Sequence, residues 1–251
     1  SEIKMFQNEY RQANKNSNFV AEFGITKGYQ SSIEGSKRNS IGHFFSKFEK
    51  NLNLENYSTS DLNVYVESVT NDTFLNVFKN NFILSSIKPS SNNTLKSGFD
   101  LILDNENYNF DTGMQIYESL SGSESDRYEY NFPHYSYSTS FDYNLFNGIF
   151  DFSSNGNNVL NNTNILKTTI NNNLSYSSVD YFSNLGFKNN FGLYFMNLNT
   201  VGKNHSIYKS SLQSQLMSIF EVRSEFPLIK RTENFDEKIT PKISFRLNPG
   251  Q

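Results

Sequence analysis

The sequence predicts an all-β protein, an antiparallel up-and-down meander of about twelve long strands with the pattern of a transmembrane β-barrel. Three observations predict it. Apolar and polar residues alternate with period two over stretches of ten residues or more. The composition favours pleated, half-buried surfaces: Phe and Tyr number 24 and 15 in 251 residues, while Cys and Trp are absent. The connections alternate between short turns and long loops.

The clearest pair comes in the first half. Leu95, Phe99, Leu101 and Leu103 share one face, opposite Lys96, Gly98 and Asp100. The polar turn Asp104–Asn107 follows, and then Tyr108, Phe110, Met114 and Ile116 alternate with Asn109, Asp111, Gly113 and Gln115. Alternation on both sides of a short turn predicts an antiparallel hairpin, 93–104 against 107–118, and the tightest of the chain. The same reading places strands at Phe19–Ile25, Leu62–Val66, Leu166–Tyr176, Leu185–Phe195, Leu212–Val222 and Ile243–Leu247. Weaker candidates lie at 2–12, 40–50, 133–141 and 146–154. No stretch carries a 3.6-residue apolar stripe with caps. Strands of about nine to eleven residues suit a tilted bilayer crossing, whereas globular strands average about five or six.

The connections read short at Ala13–Ser17, long at Gly28–Arg38, short at Asn51–Ser60 and long at Thr70–Asn92. They continue very short at Asp104–Asn107, long at Ser119–Phe132, very short at Asp142–Leu145 and long at Ser154–Asn162. A turn at Ser178–Ser183, a loop at Thr200–Ser206 and a long stretch at Ser224–Lys238 follow. In a meander, alternate connections emerge on one side, so short turns on one side and long loops on the other is the outer-membrane habit. That parity requires Phe74–Ile87 to belong to a loop. In lipid, Phe99, Leu101, Phe110, Met114, Phe191, Leu193 and Phe195 would face outward, and Asp100, Asp111, Gln115, Lys188 and Asn190 inward. A soluble sandwich would bury the same apolar residues in a dry core.

Other classes find little support. With 22 basic against 25 acidic residues there is no nucleic-acid footprint. No apolar run is long enough for a transmembrane helix, and no signal peptide is visible. Without Cys, and with His43, His134 and His205 in separate segments, no metal site is expected. The acidic tip Glu124-Ser125-Asp126 reads as a solvated loop. Pro133 reads as a strand start. Gly-x-Ser-x-Gly and phosphate-loop motifs are missing. The sequence therefore predicts no enzyme, no catalytic residue, no cofactor-binding residue and no metal ligand.

Three segments stand out: Phe226-Pro227-Leu228-Ile229-Lys230-Arg231 followed by Ile239–Pro249, then Ser68-Val69-Thr70-Asn71-Asp72-Thr73-Phe74-Leu75, and Tyr117–Ser138 with its Tyr130-Asn131-Phe132-Pro133-His134-Tyr135-Ser136-Tyr137. In order and spacing they resemble the barrel domain of the outer-membrane LPS-assembly protein (LptD, organic solvent tolerance protein) family. Leu247 stands where the family pattern has Tyr. The resemblance covers roughly residues 60–250. It implies that residues 1–251 are part of a very large barrel in the cell outer membrane, without the family's periplasmic jelly-roll domain. The partners it implies are lipopolysaccharide, an LptE-like lipoprotein plug, outer-membrane lipid, and a periplasmic LPS-bridge protein through the missing jelly roll. A fragment of such a barrel would leave strands near 2–12 and 239–248 unpaired with each other. Another outer-membrane barrel, a porin or substrate-specific receptor, is the alternative, and a soluble adhesin-like β domain a more distant one.

Overall fold

The computed structural model describes residues 4–28, 40–82, 84–122, 126–143, 147–232 and 235–249. Their strands are β1 (Met5–Asn14), β2 (Ser17–Lys27), β3 (Ser40–Asn51), β4 (Thr59–Val69), β5 (Thr94–Asp104), β6 (Tyr108–Ser119), β7 (Tyr128–Tyr143) and β8 (Gly148–Asn161). They continue with β9 (Ile165–Ser178), β10 (Tyr181–Phe182), β11 (Lys188–Lys203), β12 (Gln213–Glu225), β13 (Leu228–Arg231), β14 (Asp236–Ile239) and β15 (Lys242–Leu247). One antiparallel sheet runs in the order β1-β2-β3-β4-β5-β6-β7-β8-β9-β11-β12-β15, with β10 added beside β11. The predicted meander is thus observed, since sequential strands pair, and β13 and β14 form a separate two-stranded hairpin. Among the described residues no ladder joins β1 to β15.

The registers decide which side chains share a face. Val64 stands opposite Phe99, Phe99 opposite Met114 and Phe110 opposite Tyr137. Tyr137 pairs with Ser154, Ser154 with Asn172, and Asn172 with Asn197. Cross-strand partners lie on the same side of a sheet. One face therefore carries Phe23, Phe44, Val64, Phe99, Leu101, Phe110, Met114, Phe191, Leu193, Phe195, Val222 and Phe245 together. The opposite face carries Asp100, Asp111, Gln115, Lys188 and Asn190. None of the seven apolar residues singled out from the sequence is buried, and Phe195 is 40% exposed. Phe23, Phe44 and Phe245 are more open still. The dry core of a two-sheet sandwich does not form around them.

What core exists sits at one end of β2–β5. Ile41, Phe45, Phe74, Leu75, Phe78, Phe82, Leu95 and Leu120 form the buried cluster. The long connection after β4 supplies four of them, from the short helix α1 (Phe74–Val77), its C-cap Phe78 and the 3-10 turn at Lys79–Phe82. Phe74–Ile87 thus belongs to a connection, as the parity argument required.

Several expectations need correction. The hairpin β5–β6 has a three-residue turn, but β1–β2 turns on Lys15-Asn16 alone and is tighter. Ser154–Asn162 is not a long loop: β8 runs through Asn161 and the chain turns over 162–164. Its Ser, Gly and Asn residues look like loop by composition, yet their backbones pair on both sides. Their side chains also bond laterally, Ser154 Oγ to Asn172 Oδ1 at 2.7 Å and Thr168 Oγ1 to Asn158 Oδ1 at 2.6 Å. The alternation of connection length consequently fails after β8. The 162–164 turn is short on the long-loop side, and 179–187 and 226–241 are long on the short-turn side. β11 also extends to Lys203, through residues assigned to the loop at Thr200–Ser206. Pro133 does not start a strand: it lies inside β7, where the β6–β7 register shifts between Gly113 and Gln115. The acidic tip at 124–126 and the connection at 28–38 lie largely outside the described residues.

Candidate functional site

The polar face concentrates the chemistry, and three arrangements stand out on it. The first is a row across β5, β6 and β7. Asp100 opposes Gly113, and Gly113 opposes His134. With no side chain at Gly113, the flanking residues meet over it, and His134 Nε2 lies 3.3 Å from Asp100 Oδ1. Asp111 joins them from two residues along β6. Gln115 Nε2 donates to Asp100 Oδ1 at 3.4 Å, and the Tyr117 hydroxyl donates to Gln115 Oε1 at 2.8 Å. Beside this row Lys96 Nζ sits 4.9 Å from the Tyr65 ring centroid and 5.9 Å from that of Tyr117. A cation over an aromatic face is a favourable contact even when partly hydrated.

The second is a capped pair between β2 and β3. His43 and Glu22 have side chains 0% and 2% exposed, with Nε2 and Oε1 3.1 Å apart. Gln7 Nε2 donates to the same oxygen at 2.8 Å. The rings of Phe45, Phe74 and Phe82 surround the imidazole, with centroids 4.7, 5.4 and 4.8 Å away. The Asn71-Asp72-Thr73 motif sets up this cap. The amide of Thr73 donates to Asn71 Oδ1 at 3.0 Å and to Asp72 Oδ1 at 2.9 Å, turning the chain into α1.

The third is a set of ion pairs near the last ladder. Glu221 binds Arg223 at 3.2 Å and Arg246 at 3.3 Å, and Glu225 binds Lys242 at 3.0 Å. Nearby, Asp180 accepts from Asn190 Nδ2 at 3.0 Å and pairs with Lys188 at 2.9 Å. The hydrogen bond from Asn190, with the one from Lys188, holds the Asp180 carboxyl below the usual aspartate range.

The other face carries a band of rings. Tyr10 meets Phe19 at 6.2 Å, Tyr57 meets Tyr108 at 6.2 Å, and Tyr108 meets Tyr137 at 5.7 Å. The band continues through Tyr137 and Phe152 at 6.1 Å, Phe150 and Tyr176 at 4.7 Å, and Tyr176 and Phe191 at 5.6 Å. Most of these rings lie within a few residues of the strand ends that carry the β1–β2 and β5–β6 turns. On β8–β12 a row of polar side chains interrupts the apolar face: Ser154, Asn172, Asn197 and Ser214, hydrogen-bonded one to the next.

No protein-family model matches the chain, and no curated protein matches it. The resemblance to the LPS-assembly family therefore rests on its three short motifs. In the structure these form the capping turn at the end of β4, the bulged part of β7 that carries His134, and the β13–β14 excursion with β15. Sequence reasoning named His43 and His134 but missed their partners. Glu22 lies 21 residues from His43, and Asp100 and Asp111 lie on other strands than His134. Only the pairing register brings them together; the Gly at position 113, on the polar face of a strand, was the available signal.

Proposed function

We propose that this chain forms part of the wall of a transmembrane β-barrel in the cell outer membrane. One observation carries the reading: an apolar face, broken on β8–β12 by one polar row, spans a twelve-strand meander, and most of its large side chains remain half-buried or exposed. Exposed apolar surface on that scale marks a surface made for something other than water. The strands that form the body of the sheet, β1–β9, β11 and β12, have 10–16 residues, enough for a tilted strand to cross a bilayer. The band of Tyr and Phe near one set of strand ends suits a membrane interface, where a ring can keep its apolar part in lipid and its hydroxyl in water. No helix among the described residues is long and apolar enough to cross a membrane, so strands would do the crossing.

Within this reading the polar face lines an aqueous interior. Lipid cannot hydrate backbone groups, so the outer edges of β1 and β15 require further strands or each other. The motif resemblance points to one cargo: lipopolysaccharide, its sugar and phosphate head passing along the polar side and its acyl chains leaving sideways into the outer leaflet. The protein would act as a wall and a route, with no bond made or broken. An LptE-like plug and a periplasmic LPS-bridge protein are the partners this role calls for. Depletion of the full-length protein in its native host, with labelling of surface lipopolysaccharide on intact cells, tests the role. Loss of label supports it, and unchanged label rules it out.

A further inference from the structure

We propose that Asp100, Asp111 and His134 form a divalent transition-metal site, of the class that takes Zn2+, on the polar face of the sheet. The proposal is independent of the cargo and of the membrane role, because it rests on side-chain geometry across three adjacent strands.

The three residues each offer one ligand atom, and these atoms lie within 4.8 Å of one another. Zinc holds nitrogen and carboxylate oxygen at about 2.0–2.2 Å in tetrahedral sites, which sets neighbouring ligand atoms about 3.4 Å apart. The His134 Nε2 to Asp100 Oδ1 distance is already 3.3 Å. Asp111 would need to approach by at most about 1.4 Å, within the reach of a carboxylate rotation. The set comprises three protein ligands, leaving a fourth position for water, as in open zinc sites. Imidazole together with carboxylate favours zinc-like ions over calcium or magnesium, which prefer oxygen alone.

Two features set this cluster apart from an ordinary ion pair. His134 Nε2 is buried and makes no hydrogen bond, so its contact with Asp100 has the proximity of a pair without the alignment of one. Two carboxylates also face a single neutral imidazole nitrogen, and a dication bound among them would balance their two negative charges. Gly113 keeps the centre open. A Cβ there would lie 3.0 Å from both Asp100 Oδ1 and His134 Nε2, and 2.1 Å from the carbonyl of Phe99. Around the cluster, Gln115 donates to Asp100 and is itself fixed by Tyr117, the kind of outer support that orients metal ligands.

The experiment uses the full untagged chain refolded in detergent micelles, with Zn2+ alone as probe, titrated in competition with a chromophoric chelator. One equivalent should bind, and Co2+ in its place should give the visible absorption of a four-coordinate nitrogen–oxygen site. Asp111→Asn is the discriminating variant, since it leaves the Asp100–His134 contact intact. It should weaken Zn2+ binding by about tenfold or more, as should His134→Gln, while His205→Ala should bind as the parent does. The proposal is overturned by unchanged affinity in Asp111→Asn or His134→Gln, or by no binding at millimolar Zn2+. Displacement of the bound Zn2+ by equimolar Ca2+ would overturn it equally. If the variants do not refold, the Co2+ spectrum of the parent decides alone, and a six-coordinate, weakly absorbing spectrum counts against the site.

Discussion

Replacing Glu22 with Ala would remove the acceptor that serves both His43 and Gln7. The imidazole lies with 0% side-chain exposure among Phe45, Phe74 and Phe82, so water cannot take the carboxylate's place without displacing the cap. Leaving a buried imidazole without its acceptor typically costs about 1–3 kcal/mol. Glu22→Gln keeps the shape and one acceptor oxygen and should cost less, about 1–2 kcal/mol. The double change Glu22→Leu with His43→Leu removes both buried polar groups and should recover most of the loss, because the exposed Gln7 can turn to water and no buried orphan remains. The assay is urea unfolding of the refolded chain in detergent, followed by far-ultraviolet circular dichroism. Protease sensitivity of residues 71–87 would report opening of the cap itself. The reasoning fails if Glu22→Ala costs less than about 1 kcal/mol, or if the double variant is less stable than Glu22→Ala.

Three further outcomes are expected. Gly24→Ala would bring a Cβ to 2.4 Å from His43 Cε1, against a ring with nowhere to go, and should cost about 1–3 kcal/mol in the same unfolding assay. Replacing residues 228–239 by a short Gly-rich turn should leave the main sheet intact by circular dichroism. Among the described residues the β13–β14 hairpin pairs only with itself, and the Phe226 amide to Pro241 carbonyl bond (3.0 Å) already closes its base. Because the Asp180 carboxyl is held below its ordinary value of about 3.9, its support of the β9–β10 turn is complete above that pH. It is lost as the pH falls through the lower folded value, and amide exchange at 179–187 should accelerate there in the parent but not in Asp180→Asn.

How much of this was legible beforehand depended on what each signal physically encodes. Alternation reports which side chains share a face, so the strands around Leu95–Leu103 and Tyr108–Ile116 and their pairing could be read directly. Composition reports solvation, not pairing, so the Ser-Asn-Gly stretch of β8 looked like loop although its backbone pairs with the strands on both sides. The segment at Phe74–Phe82 could be assigned to a connection, but its packing over His43 could not be foreseen, because burial there is long-range. The Asp100, Asp111 and His134 cluster was hidden for a related reason. A register bulge beside Pro133 sets which residue of β7 stands opposite Gly113, and no local pattern announces it.

The central claim is that lipid covers the apolar face and water the other. The absence of Cys makes the measurement clean: single Cys substitutions along β5, from Leu95 through Leu103, each spin-labelled in the chain reconstituted into lipid vesicles. Collision with oxygen, which concentrates in the acyl region, should peak at Phe99, Leu101 and Leu103. Collision with a water-soluble nickel chelate should peak at Gly98, Asp100 and Ile102. The two profiles should oscillate with period two and in opposite phase. Protection of Phe99, Leu101 and Leu103 from both reagents would contradict the account, because that is the signature of a dry protein core.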